Sequence, residues 1–555
     1  MPEKFAYWVR GGIYVLVIVA IFGFVYADND DAYTNVKKLD RIAVIIKERY
    51  AEHVDFRDLI ESGISGMLLS LDPYCRYFTD DDFRDFIDNT YGQFEGIGIE
   101  VDIRHRNLTV ISVLEGTPAY RSGIAPGDKI IAVNGRLTSE MTREEAARSM
   151  RGAAGTPLEL TIRRYGINEL MNYSLIRETV ETKSIPYSSV LEEGIGYIRL
   201  TRFTETTYYE MVEALATFKA QNVRGIILDL RSNPGGLLLE AVKVVGLFIE
   251  PNKLVVETRN REDNFTRHFS SNDGLSCYDI PLAVLVDEGT ASAAEIVAGA
   301  IQDWDRGLII GSRTYGKGLV QRIIRLDDVS ALKLTTAKYY VPSGRCIQKP
   351  EDAGGLNVTT GLESFPVKNK KPGVYYTASG REVAGGGGIT PDVVVESIKD
   401  TEIIKALKQQ SEFFHFAFRY VNDFREQIGL GFVADGHTLR EFKKYLYEND
   451  FDYDAQFEMK YDSLVAALPA YGVPGNLRDV IKRLDKQLHD LKFQRLEADA
   501  ELVKWNLTEE IMVLRFDQQT RYGVVWVNHH PEILKAREIL STDREYREAF
   551  VASSE

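Results

Sequence analysis

Three runs in the middle of the chain, Gly225–Leu230, Leu282–Val286 and Leu308–Ile310, are apolar almost without a break, and helical spacing follows the first two, over Leu237–Ile249 and Ser292–Asp303. A strand with one face in water alternates apolar and polar residues, whereas a continuous apolar strand needs a cover on both faces. Such strands alternating with helices over residues 190–395 predict an α/β domain built on a sheet packed on both sides.

The flanks read differently. From Tyr33 to Phe86 apolar residues recur at helical spacing (Val36, Leu39, Ile42, Ile45, Ile46, then Leu59, Ile60, Ile64, Met67, Leu68), and Pro73 stops the second helix, so a small helical domain is expected. From Gly92 to Arg164 short β runs are punctuated by glycine: Gly96-Ile97-Gly98-Ile99, Leu108–Val113, then Lys129–Val133 running into Asn134-Gly135. Thr142 with Glu145 predicts a capping box opening a helix toward Met150. These elements, with Glu115–Ala119 and Gly123–Asp128, resemble a PDZ domain of the bacterial type. Past Gly385–Gly388 the chain becomes charged and helical, with Leu484–Trp505 as one expected helix, and residues 396–555 show no chemistry of their own.

At 555 residues the chain needs several domains, at about 100–200 residues each. Lysine and arginine total 67 against 82 aspartates and glutamates, a net charge of -15 that argues against nucleic acid as partner. Cys75, Cys277 and Cys346 lie far apart without a CxxC spacing, so neither a disulfide framework nor a metal site is expected. Lys4 and Arg10 precede the uncharged run Gly11–Ala27, and Asp28, Asn29, Asp30 and Asp31 follow it. Positive before and acidic after points the carboxyl side away from the cytoplasm. The run's length suits either a cleaved signal or a retained anchor, and Val25-Tyr26-Ala27 reads as a cleavage site in the first case.

Three blocks of the α/β region carry chemistry. Asp229–Gly236 is a strand ending in a glycine turn; its N–H groups suit an oxyanion, or it is a plain strand-to-helix connection. Asp287–Ile296 puts Ser292 at the start of a helix, as an N-cap or as a nucleophile whose oxyanion meets the N–H of Ala293. Thr314–Gln321 sets Lys317 between two glycines, a solvated loop lysine or a desolvated base. Of eight histidines only His268 falls in this region, in a charged stretch read as a surface hairpin, so a histidine triad is poorly supplied.

Taken together, AspLeuArgSerAsnProGlyGly, GlyThrAlaSerAlaAlaGluIle and TyrGlyLysGlyLeuValGln resemble the signature blocks of the carboxyl-terminal processing peptidases, the tail-specific serine proteases. The resemblance covers about two-thirds of the chain, with Ser292 and Lys317 separated by 25 positions and Gln321 following by four, as in that family. Cys346 stands where serine is common. The resemblance implies an α/β, crotonase-like serine protease domain, Ser292 as nucleophile, Lys317 as general base and Gln321 orienting the lysine. It places the oxyanion hole at Ala293 with Gly235 or Gly236, and the PDZ carboxylate site at Gly96, Ile97, Gly98 and Ile99. Glu295 and Asp229 are read as structural hydrogen-bonding groups.

The expected organisation is a signal or anchor over 1–27, a helical domain over 28–90, PDZ over 91–168, protease over 169–395 and a helical region over 396–555. A serine endopeptidase of the cell envelope or periplasm is expected, acting on proteins or peptides with free carboxyl termini, without cofactor, metal or nucleic acid. Membrane association through the leader and a homo-oligomer are also expected. The alternatives are a non-catalytic PDZ scaffold of the envelope and an acyl-thioester enzyme; the Ser-Lys-Gln set counts against the first, the export segment and PDZ domain against the second. Removal of 401–555 is expected to leave cleavage measurable, because the blocks precede it. Arg151, where the PDZ helix ends, is read either as a solvated cation helping the helix dipole or as a regulatory contact that aligns Lys317 and Gln321 when a tail binds.

Overall fold

The computed structural model describes residues 33–104, 107–261, 266–272, 277–327, 330–349, 373–467 and 475–552. The leader at 1–27 lies outside them; among the described residues no helix is long and apolar enough to cross a membrane. The chain forms two compact units, one of Met1–Phe83, Gln321–Thr336 and Glu351–Lys368, the other of Arg84–Val320, Ala337–Pro350 and Asn369–Glu555.

In the first unit a helix runs through residues 33–49 and a second spans Phe56–Leu69, its N-cap Asp55 accepting from Arg57 N and Asp58 N. Strand Arg76–Phe78 pairs antiparallel with residues 331–333.

The second unit holds the PDZ domain, the α/β domain and the C-terminal helical region expected from the sequence. Its PDZ sheet runs in the order Ile99–Arg104, Asn107–Val113, Lys129–Val133, Pro157–Arg163, Met171–Ile176. The last strand lies beyond the expected boundary at 168, and Glu178–Glu181 still pairs with Gln93–Gly96. Helix Arg143–Met150 opens with the Thr142–Glu145 capping box. Its carboxyl end is closed by buried Arg177, which donates to Ser149 O at 2.9 Å and Met150 O at 3.0 Å. Arg177 thus joins Arg148 and the C-cap residue Arg151 as a cation at the negative end of this helix.

The catalytic sheet places Ile195–Arg199, Gly225–Asp229, Leu282–Val286, Leu308–Gly311 and Val393–Val394 side by side in parallel, with Tyr187–Val190 antiparallel at one edge. One face, carrying Ile198, Ile226, Leu228, Val284 and Ile309, packs on helices Thr207–Ala220, Leu238–Gly246 and Ala293–Asp303. The other, carrying Ile195, Tyr197, Ile227, Leu285 and Ile310, packs on Val527, Ile533, Ala536, Ile539 and Leu540. The second cover demanded by continuous apolar strands therefore comes from the far end of the chain. Residues 396–555, which show no chemistry of their own in the sequence, thus supply part of the core of the catalytic sheet. The expected helix Leu484–Trp505 is two, Gly475–Ala498 and Ala500–Arg515, broken at Asp499, whose carboxylate binds Thr401 Oγ1 at 2.6 Å and Arg495 Nε at 3.1 Å.

Candidate active site

Ser292 stands between strand Leu282–Val286 and helix Ala293–Asp303 with φ 56° and ψ -117°, a backbone conformation that non-glycine residues rarely adopt. Such a turn costs on the order of 1–3 kcal/mol and persists only where its surroundings hold it. Ser292 N donates to Glu295 Oε2 at 2.8 Å, and the hydroxyl of Tyr339 reaches Ser292 O at 3.0 Å. Glu295 N goes to the Ser292 carbonyl and not to its hydroxyl. Ser292 does stand at the N-cap of this helix, with Glu295 closing a capping box on it, but among the described residues its half-buried hydroxyl makes no side-chain hydrogen bond to the helix N–H groups.

Glu295 binds a second turn to the first. Lys317 N reaches the same Oε2 at 2.9 Å, while Oε1 accepts from Gly316 N at 2.8 Å and Thr314 Oγ1 at 2.6 Å. Tyr339 also bonds Lys317 O, and Tyr315 N donates to Thr290 O at 3.0 Å. Burial of Glu295 pushes its carboxyl up to about 7, outweighing the hydrogen bonds from Thr314, Lys317, Gly316 and Ser292. Lys317 itself is half-buried. Glu295 thus has the structural role read from the sequence, but its partners are the two catalytic blocks. Tyr339, its helper, had no local signal in the sequence.

The glycine block lies against the serine turn. A Cβ on Gly235, whose φ is 98°, would sit 2.8 Å from Ala293 N and 2.9 Å from Ser292 Cβ, so only glycine lets the two loops meet. Gly235 N donates to Asn233 Oδ1 at 2.9 Å, and Ala291 N to Asn233 O at 2.9 Å. Gly236 is exposed, and neither its N–H nor that of Ala293 donates to another group among the described residues. Of the two candidate glycines, Gly235 has its N–H taken up by Asn233; Gly236 has not. An unbonded hydroxyl, two unpaired N–H groups and the start of an eleven-residue helix suit attack on a carbonyl and stabilisation of the oxyanion.

Gln321 belongs to the first unit, where its amide donates to Tyr74 O at 2.7 Å. Arg151 does not face the catalytic loops: its guanidinium bonds Asp85, lies 3.8 Å from Asp88 and covers the ring of Phe94. His268 is exposed on strand Arg267–Ser270. Gly96, Ile97, Gly98 and Ile99 line a groove of about 580 Å³, together with Ala147 and Met150 of the PDZ helix. The N–H groups of Ile97 and Gly98 have no partner among the described residues, and a Cβ on Gly98, at φ 79°, would strike Thr117 at 2.4 Å.

Residues 194–357 match Peptidase family S41, residues 109–164 a PDZ domain, residues 25–82 the Activating protease CtpB N-terminal domain, and residues 403–540 the family described as "Probable PDZ-protease, C-terminal helical domain". The Carboxy-terminal-processing protease of Bartonella bacilliformis is 35% identical over 75% of this chain and 98% of its own length. The Carboxy-terminal processing protease CtpA of Bacillus subtilis is 36% identical over 56% of this chain and 66% of its own. Among solved structures, a photosystem II D1 C-terminal processing protease is 27% identical, covers 62% of this chain and 84% of its own, and superposes with a TM-score of 0.35.

Proposed function

Because the chain belongs to peptidase family S41 and is a carboxy-terminal processing serine protease with a PDZ domain, we propose that it cleaves through an acyl-enzyme on Ser292, with Lys317 as general base. The neutral lysine amine takes the hydroxyl proton as Ser292 Oγ attacks the scissile carbonyl, and the N–H groups of Ala293 and Gly236 hold the oxyanion. The proton passes to the leaving amine, and water activated by the same lysine releases the acyl group. Gln321 orients the lysine. The observation that supports it best is the unbonded Ser292 hydroxyl on a strained turn held through Glu295 to the Lys317 turn.

The groove between Ile97–Ile99 and the PDZ helix takes the substrate tail, its terminal carboxylate on the N–H groups of Ile97 and Gly98. Export to the cell envelope, anchoring through residues 11–27 and a homo-oligomeric assembly belong to the same proposal; export and anchoring rest on the charge pattern of the leader.

The test treats the full-length protein with a fluorophosphonate and maps the adduct, then compares cleavage of one peptide with a free and an amidated carboxyl terminus. An adduct on Ser292 and faster cleavage of the free acid are expected. Labelling of another residue overturns the nucleophile, and equal rates overturn the role of the carboxylate.

A further inference from the structure

Asp229, at the end of strand Gly225–Asp229, is fully buried and faces two cations. Arg231 grips it with Nε at 2.9 Å from Oδ1 and Nη2 at 2.7 Å from Oδ2, Arg199 Nη1 lies 3.1 Å from Oδ1, and Tyr197 donates to Oδ2 at 2.7 Å. One carboxylate leaves two buried guanidinium groups with an excess positive charge, which a protein interior does not tolerate without a second anion. That anion is Glu532, 301 positions further on and also buried, with Oε2 at 2.9 Å from Arg231 Nη1 and Oε1 accepting from Ser397 at 2.7 Å. Arg231 Nη1 also lies 2.8 Å from His530 Nδ1. A guanidinium can only donate, so this nitrogen accepts. The ring of Trp526 lies 5.3 Å from Arg199 and 5.5 Å from Arg231.

We propose that the C-terminal helical region positions the oxyanion loop, with Glu532 and His530 fixing Arg231 at the loop's near end. The inference rests on the reading of Gly236 as an oxyanion donor. Only five positions separate Arg231 from Gly236, and three of the four residues between them are held: Ser232, at φ 53°, donates N and Oγ to Asp287 at 2.6 and 2.9 Å, and Asn233 binds Leu200 O, Ala291 N and Gly235 N. A loop pinned at the far side by the serine turn and at the near side by Arg231 has one conformation. Without Glu532 and His530 the guanidinium keeps only its grip on Asp229, which lets the loop's near end shift and carries Gly236 N–H with it. Glu532 and His530 touch no reacting atom; they are positioning residues.

The test is made in the full chain. Glu532→Gln keeps shape and removes the countercharge; kcat is expected to fall ten-fold or more with KM for a free-acid peptide within two-fold. Amide exchange is expected to quicken in 230–237 and not in Ala293–Asp303, and Glu532→Asp to recover part of kcat. His530→Leu keeps the charge balance and is expected to lose less, which preserves the test if Glu532→Gln does not fold. Unchanged exchange and kcat in a folded Glu532→Gln overturn the proposal. Uniformly faster exchange across the sheet overturns it in favour of a general stabilising role. Faster exchange of 230–237 alone, with unchanged kcat, also overturns it and locates the failure in the oxyanion reading and not in the clamp.

Discussion

The backbone amides of Ser292 and Lys317, 25 positions apart in the chain, converge on one oxygen, Glu295 Oε2, at 2.8 and 2.9 Å. The two turns are held to each other through main-chain N–H groups and one shared carboxylate, without use of the Ser292 hydroxyl. A substitution of either side chain should therefore alter the reaction without loosening the turns.

Ser292→Ala is expected to abolish cleavage with little change in melting temperature, within about 2 °C, because the turn is held through the backbone N and O of this residue. Lys317→Ala should be as inactive, and the double variant no worse, since groups that act as a unit do not contribute additively. Wild-type turnover should rise toward alkaline pH as the base loses its proton. Single-turnover assays and thermal melts check this; residual cleavage in either variant above that of the double variant would count against the dyad.

Glu295 titrates against its own fold. Its carboxyl sits at about 7 against an ordinary value of 4.5, so between those values the folded state keeps a proton that the unfolded state has lost, and stability falls as pH rises through the window. Relative to Glu295→Gln, which does not titrate, the wild type should lose about 3 kcal/mol across it. Activity should move the other way. Three of Glu295's four partners are backbone N–H groups, which can only donate, and a proton on the carboxylate weakens their hold on it, so turnover should fall below pH ~7 in the wild type. Glu295→Gln should be weakly active at every pH and lack this limb. Paired melting and rate profiles from about pH 5 to about pH 8 decide it.

Gly235→Ala should lower kcat by about 100-fold or more, because its Cβ would drive the oxyanion loop off Ala293 N. Binding of a carboxyl-terminal peptide should be unaffected, since the PDZ groove is lined by other residues. Rates and isothermal binding on the same preparation separate the two effects.

Removal of residues 401–555 is expected to give an inactive, aggregating chain. It would bare Ile195, Ile227, Leu285, Leu308 and Ile310, whose burial contributes on the order of 10 kcal/mol, comparable with a domain's whole stability of ~5–15 kcal/mol. A soluble truncation that still cleaves peptide would contradict the sheet's dependence on its second cover. This reverses the expectation drawn from the position of the signature blocks alone.

Local patterns in the sequence expose the blocks around Gly235, Ser292 and Lys317, because strand, turn and helix start fall within a few residues of each other. The continuous apolar strands also state that two covers exist, but not which segments supply them. Glu532 and Arg231 answer to no periodicity across 301 positions, and Tyr339 reaches the catalytic turns from a distant strand. Met171–Ile176 lies past the expected PDZ boundary although Met171, Tyr173 and Leu175 alternate with Asn172 and Ser174 in a strand pattern; only Leu175 of the strand is fully buried. Arg151 sits at the helix end as expected, yet its partners Asp85 and Asp88 lie in a segment whose acidic run carries no mark of a partner.

The sheet face closed by Val527–Leu540 also orders events in time. Domains ordinarily fold as they leave the ribosome, amino end first. Here the strands that carry the serine emerge long before the helix that covers them, and a contact closed over so many residues forms late. A half-made copy holds the nucleophile's sequence without a finished centre around it. Synthesis to the last helices is what arms the enzyme, and a chain cut short by a premature stop is disarmed by its own topology.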